Sequence, residues 1–256
     1  KQGYKMKFFI KLLVLFLYGG LLAQAQAETE ENYADFVKDK QVQQGYFSFY
    51  LDEQTGKVFL EIERFEQEFL FQSGLPHGIG SNDIGLDRGQ LGDTRLVRFE
   101  RVGNKVFLRQ LNTYFRATTD NKLEQQAIDE AFASSIIWGF NVSYTSADNN
   151  KTLIDYTPFL LSDIHNLSEQ LQRTKQGSFS VDTTRSGVYK KRTKAFPNNT
   201  ELEATITFKG SKAGEYLRSV TPDASAVTVN LHHSLIKLPD NNYKTRIFHP
   251  YSGFWQ

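Results

Sequence analysis

The sequence predicts an α+β, strand-rich fold built of antiparallel hairpins in a meander, with about two helices in the middle of the chain. Three observations carry this. Alternating apolar and polar residues recur along the chain, as in Arg95-Leu96-Val97-Arg98-Phe99-Glu100-Arg101-Val102. Turn residues separate these runs, most clearly Gly103-Asn104, where a two-residue hairpin turn needs positive φ. Apolar residues at helical spacing occur in two places, both between residues 120 and 175.

The elements follow in order. Residues 46–50 (YFSFY) form an aromatic strand, 52–56 a turn and 57–62 (KVFLEI) the returning strand of a hairpin. Residues 68–73 are a third strand. The clearest hairpin pairs residues 95–102 with 105–110, with Arg98 and Glu100 on its outer face. Residues 114–117 are read as a further strand. Asn121 caps a helix over 122–137, Glu124 completes a capping box, and Ile128, Ala131, Phe132, Ser135 and Ile136 share one face. A second helix spans 162–173 with Ile164, Leu167 and Leu171 inward. Strands return at 200–208, 226–231 and 234–238, and Pro239-Asp240-Asn241-Asn242 is a turn.

The front of the chain reads differently. Residues 1–5 are read as upstream translated sequence. Residues 6–27 form a signal peptide: a basic start, an apolar run over 12–22 and Ala25-Gln26-Ala27 for cleavage. That run is too short for a membrane span, which takes roughly 20 residues. The expected location is therefore exported, periplasmic or extracellular, with no membrane contact once the signal is removed. Residues 28–44 are a polar lead, either mobile or a short helix. The β-rich domain covers 45–245, and 246–256 begin a following region that the chain does not complete.

Composition removes several functions. Residues 1–27 hold four lysines and no acid, so the rest of the chain carries 26 basic and 29 acidic residues. The two signs are interspersed, which gives no electrostatic case for nucleic acid. The absence of cysteine excludes thiol catalysis and cysteine metal sites in this chain, and fits bacterial export without disulfides.

The stretch Gly80-Ser81-Asn82-Asp83-Ile84-Gly85-Leu86-Asp87-Arg88-Gly89-Gln90 has the composition of a ligand loop. It fails the dinucleotide pattern, because Asp83 stands where the third glycine belongs. It lacks the Gly-Lys-Ser/Thr of a phosphate loop, and its acids are wrongly spaced for an EF-hand. The expectation is a structural or interface loop in which Asp83, Asp87 and Arg88 bond the backbone and each other. The five histidines, His77, His165, His232, His233 and His249, include no H-E-x-x-H. His232 and His233 are adjacent in a strand and point to opposite faces, which disfavours a shared metal. No catalytic residue and no metal ligand is assigned.

Several long stretches together carry a resemblance. They are Gly45-Tyr46-Phe47-Ser48-Phe49-Tyr50, the run over 80–92 (GSNDIGLDRGQLG), Val97-Arg98-Phe99-Glu100-Arg101-Val102-Gly103, Trp138-Gly139-Phe140, the run over 192–201 (RTKAFPNNTE), Arg218-Ser219-Val220-Thr221-Pro222-Asp223 and the run over 229–239 (VNLHHSLIKLP). With these the chain resembles the N-terminal part of a family of bacterial exported zinc-dependent metalloproteases, in which a domain of unknown function precedes a metzincin-like catalytic domain. The resemblance implies a non-catalytic domain whose partner is its own downstream catalytic domain, with peptide substrate as a further partner. It implies zinc for that absent domain and no cofactor in this chain. Two other readings stand beside it: a free-standing β-rich periplasmic binding module, and a complete enzyme using Asp83, Asp87 and His77.

Overall fold

A computed structural model describes residues 32–115, 117–240, 242, 244, 249 and 251. Residues 6–27, expected to be a signal peptide, and most of the region over 246–256 lie outside the described residues. The elements are α1 (Tyr33–Lys38), β1 (Gln41–Gln43), β2 (Phe49–Asp52), β3 (Lys57–Ile62), β4 (Glu68–His77), β5 (Gln90–Val102), β6 (Lys105–Gln110), α2 (Lys122–Ala131), β7 (Ser135–Thr145) and β8 (Thr152–Asp155). Then come α3 (Thr157–Leu160), α4 (Leu167–Arg173), β9 (Ser178–Val188), β10 (Lys194–Phe196), β11 (Asn199–Ser211), α5 (Glu215–Val220) and β12 (Ala226–Lys237). The strand-rich α+β class holds, and every strand pairing is antiparallel.

The strands form one curled sheet in the order β1-β2-β3-β8-β7-β6-β5-β4-β12-β11-β10, and β9 also pairs with β11. Alternation places one face of each strand inside. Phe69 and Phe71 of β4, Val97 and Phe99 of β5, Val106 and Leu108 of β6, and Leu231 and Leu235 of β12 are all buried there. Phe47 and Phe69 meet edge to face at 5.0 Å, and Phe47 meets Phe99 at 5.4 Å. Each such ring contributes about 1.5–3 kcal/mol by leaving water, and the edge-on geometry suits the ring quadrupoles. Helices α3 and α4 add Phe159, Leu160, Leu167 and Leu171 to the same core.

Residues 45–48 bring the two ends of the sheet together. The Tyr46 N–H donates to Phe196 O at 2.7 Å, across from the β1–β2 connection to β10. The Thr200 hydroxyl accepts from Phe47 N at 3.0 Å and donates to Phe47 O at 2.7 Å, so it replaces a ladder partner for both backbone groups. Gly45 is forced here, because a Cβ would stand 2.5 Å from the Ala195 Cβ and 2.7 Å from Phe196 N.

Several expectations are corrected. The aromatic run 46–50 is a strand only from Phe49, since Tyr46 and Phe47 turn inward and bond to the opposite end of the sheet. The helix over 122–137 ends at Ala131, and Ser135 and Ile136 belong to β7. There Ile136 and Ser135 pair with Arg109 and Gln110 of β6. Tertiary pairing overrides a helical spacing that is ambiguous for short apolar runs. Residues 114 and 115 form a bend instead of a strand. The helix over 162–173 starts at Leu167, because both Asp163 carboxylate oxygens accept backbone N–H groups, from Leu167 and Ser168. Two helices lie outside the middle of the chain: α1 near the front and α5 before β12. The polar lead supplies α1 and β1, and buried Phe36 stacks on Tyr144 at 4.3 Å. Strands β8, β9 and β10 had no sequence expectation.

Thr200→Val is expected to unpair two buried backbone groups and lower stability by about 2–4 kcal/mol. Thr200→Ser keeps both bonds and should lose less than about 1 kcal/mol. Urea denaturation of the two variants checks this; equal losses would refute the role of the hydroxyl.

Candidate functional site

The 80–90 loop is built by its backbone and its apolar residues. Ile84 N donates to Ser81 O, Gly85 N to Asn82 O, Ile79 N to Leu86 O at 2.9 Å and Gly89 N to Leu75 O at 2.8 Å. Gly80, Gly85 and Gly89 have φ of 94°, 71° and 89°, values that glycine adopts without strain. Ile84 and Leu86 are buried, and the Gln170 side chain of α4 donates to Ile84 O at 2.5 Å. Asp83 and Arg88 are exposed and Asp87 is half-buried. Among the described residues, no ion pair or side-chain hydrogen bond joins Asp83, Asp87 and Arg88 to each other or to the backbone. That corrects the expected pairing: with the turn closed by amides and two buried side chains, the charges are left facing solvent. His77 is exposed at the end of β4.

The loop lines a groove only through Leu86 and Gln90. This groove of about 350 Å³ runs along α4 and joins a smaller hollow of about 140 Å³, sharing Gln90, Asp93, His165 and Asn166 with it. At its base Ser73 Oγ and His165 Nδ1 are 3.0 Å apart. Ser73 sits where the β4–β5 register shifts, and a Cβ on Gly92 would lie 2.3 Å from its hydroxyl. Burial holds the His165 imidazole below its usual pKa, against the nearby Asp163 charge. The neutral ring can therefore accept the Ser73 proton. Ser73 itself is buried, and Asp163 spends both oxygens capping α4; Asp93 lines the same hollow and its charge reaches the imidazole, but among the described residues no hydrogen bond joins a carboxylate to that ring. The pair fastens the α3–α4 connection to β4.

His232 and His233 divide between the two faces of β12, as their spacing requires. His232 lies between two carboxylates, with Nε2 at 2.5 Å from Glu201 and Nδ1 at 3.2 Å from Glu203. Burial lowers its pKa, but hydrogen bonds and charge from Glu201 and Glu203 outweigh burial and raise it. His233 is fully buried, with Nδ1 at 3.2 Å from the Tyr156 hydroxyl and Nε2 unpartnered. Burial drives its pKa down to about 3. Among the described residues, no three His, Asp or Glu side chains are grouped as metal ligands. No helix among them is long and apolar enough to cross a membrane.

A concavity of about 680 Å³ lies elsewhere, between the outer face of β5–β6 and the connection over 111–134. Its floor is an ion-pair ladder. Arg98 and Arg109 are direct cross-strand partners, a repulsive arrangement by itself. Glu100 lies between them, 2.7 Å from each guanidinium. Burial would raise the Glu100 pKa, but hydrogen bonds from Arg109 and Arg98 outweigh it and hold the carboxyl below its usual range. Arg98 also reaches Glu66 at 3.3 Å, and Arg109 donates to Ser134 Oγ at 2.8 Å. The wall is α2 with Phe115 and Phe132, whose rings stack 3.7 Å apart.

Helix α2 has no buried residue. Its own Leu123 is 73% exposed, and Tyr114 and Phe115 beside it are 93% and 49% exposed. Arg98 and Glu100 lie on the outer face as expected, and Ile128 and Phe132, expected on one helix face, both line this cleft. The apolar spacing of α2 was legible; the surface it meets was not.

Residues 89–256 match one protein family, described as a domain of unknown function, DUF5117. No curated protein and no solved structure matches the chain.

Two outcomes follow from the geometry of loop and strand. Asp87→Ala should change stability by no more than about 0.5 kcal/mol. Gly78→Ala should lower the unfolding midpoint sharply, because its Cβ would meet Leu86 O at 2.5 Å and Arg88 N at 2.7 Å; thermal denaturation compares the two. For the histidines the signs are opposite. His232, raised, supports the fold fully below pH 6.5 and loses that support as pH rises through its folded pKa. His233, lowered, imposes no cost above pH 6.5 and destabilises the fold as pH falls toward about 3. Melting curves from pH 4 to 9 should show His232→Gln flattening the alkaline limb and leaving the acid limb in place.

Proposed function

Taking as premise that the chain belongs to the DUF5117 family, we propose that it is the non-catalytic N-terminal domain of an exported bacterial zinc-dependent peptidase, docking on the peptidase domain through the 111–134 cleft. The supporting observation is α2. It is ten residues long and capped by Asn121, whose side chain accepts from Leu123 N, yet none of its residues is buried. Isolated helices shorter than about 12–15 residues are marginal in water, and amphipathic ones gain most of their stability from packing. An apolar helix face beside exposed Tyr114 and Phe115 is surface of the kind that a partner covers.

The resemblance described above supplies the partner's identity. In this reading the zinc and its H-E-x-x-H belong to the downstream domain, which performs the hydrolysis. This chain contributes a rigid curled sheet that holds the 111–134 arm against it. The Arg98–Glu100–Arg109 ladder keeps the floor of that contact flat by neutralising two opposed cations. A free-standing binding module would leave the same arm uncovered.

The test has two parts. The reading frame beyond Gln256 should encode H-E-x-x-H, and its absence would sink the peptidase assignment. Amide exchange of α2 should be fast in the protein alone and slow when the downstream region is added in trans. A Phe115→Ser, Phe132→Ser double variant should keep its melting temperature and lose that association; unchanged association would refute docking through the arm.

A further inference from the structure

We propose that the 111–134 cleft accepts an extended peptide segment carrying basic side chains between apolar ones. This rests on the docking reading and adds the chemistry of what docks. Both guanidiniums of the floor are already committed: Arg98 to Glu100 and Glu66, Arg109 to Glu100 and Ser134. Two cleft carboxylates are not. Glu68, at the start of β4, faces Arg98 directly in register, but the guanidinium turns to Glu100 and Glu66 instead. Asp129 stands on the other side, on α2. Among the described residues neither the Glu68 nor the Asp129 side chain has a hydrogen bond or an ion pair. The lining thus holds three carboxylates against two paired guanidiniums.

That charge pattern discriminates. An anionic group entering the cleft finds three carboxylates and shares each guanidinium with a carboxylate already bound to it. A cationic group finds two carboxylates already free. Complementary charges of this kind steer encounter and reject wrong partners. The remaining lining combines apolar Leu96 and Leu111 beside the floor and Phe115, Ile128 and Phe132 on the wall with the uncharged polar Asn112, Thr113 and Ser134. The stacked phenylalanines also offer ring faces that attract an ammonium or guanidinium group. A space of about 680 Å³ suits a few side chains of one extended segment.

Three blocked pentapeptides test this against the purified protein by calorimetry: Phe-Lys-Leu-Arg-Phe, the same with glutamate at both basic positions, and the same with glutamine there. The basic peptide should bind, and weaken as salt rises from about 50 to about 500 mM. A Glu68→Gln, Asp129→Asn double variant should bind it about tenfold more weakly. Its melting temperature should not change, since neither carboxylate has a partner to lose. Equal binding of the glutamate peptide, undiminished binding to the double variant, or failure of the basic peptide to bind would each overturn the proposal. The docking reading is judged separately, by association of the Phe115, Phe132 variant with the downstream region.

Discussion

The structure depends on one hydroxyl at the place where the sheet returns on itself. Thr200 of β11 gives Phe47 both a donor and an acceptor through its side chain. Without it, the backbone at Phe47 would be buried with nothing to bond, a cost near that of two lost hydrogen bonds. With it, the first hairpin is fixed against β10 and β11, and Phe47 is driven among Phe69 and Phe99. The aromatic interior is then sealed from both sides. Gly45 serves the same closure from outside, because only the absence of a Cβ lets the chain pass Ala195 and Phe196.

Closure fixes which faces remain for function. Inside, a fully buried His233 is kept neutral by its apolar surroundings, and Phe71, Tyr156 and Phe159 pack around it. One residue earlier, His232 meets two carboxylates, which raise its pKa against the effect of burial. The period of the strand alone separates two identical side chains into opposite protonation behaviour. On the outer face of β5–β6, charge is again arranged in bonded sets, with Glu100 joining two arginines. The cleft beside α2 departs from this economy. There the Glu68 and Asp129 carboxylates have no partner among the described residues and aromatic rings face solvent, and the proposed docking role and its basic peptide segment follow from that contrast.

The 80–90 loop shows how composition can mislead. Its glycines are needed, at Gly80, Gly85 and Gly89 for positive φ and at Gly78 for the close pass of Leu86 and Arg88. Its charges are not: the turn is held by amides, Ile84, Leu86 and Gln170. Glycines read correctly as backbone requirements, whereas acids near an arginine say nothing about who pairs with whom.

Local pattern determined much of this protein. Local pattern in 57–62 and 105–110 placed two strands to the residue, the alternation over 95–102 placed the end of β5 but not its start at Gln90, and Gly103-Asn104 placed the turn between β5 and β6. Asn121 marked a helix start that its side chain does cap. The division of His232 from His233 followed from a period of two. What local pattern left open was decided by contacts distant in sequence. Whether Ser135 and Ile136 extend a helix or join a strand depends on β6 lying beside them. Whether Tyr46 and Phe47 continue a strand depends on Phe196 and Thr200. The apolar face of α2 has the same spacing whether it meets a core or solvent. Spacing records which side of an element is apolar; only the assembled sheet determines what stands opposite that side.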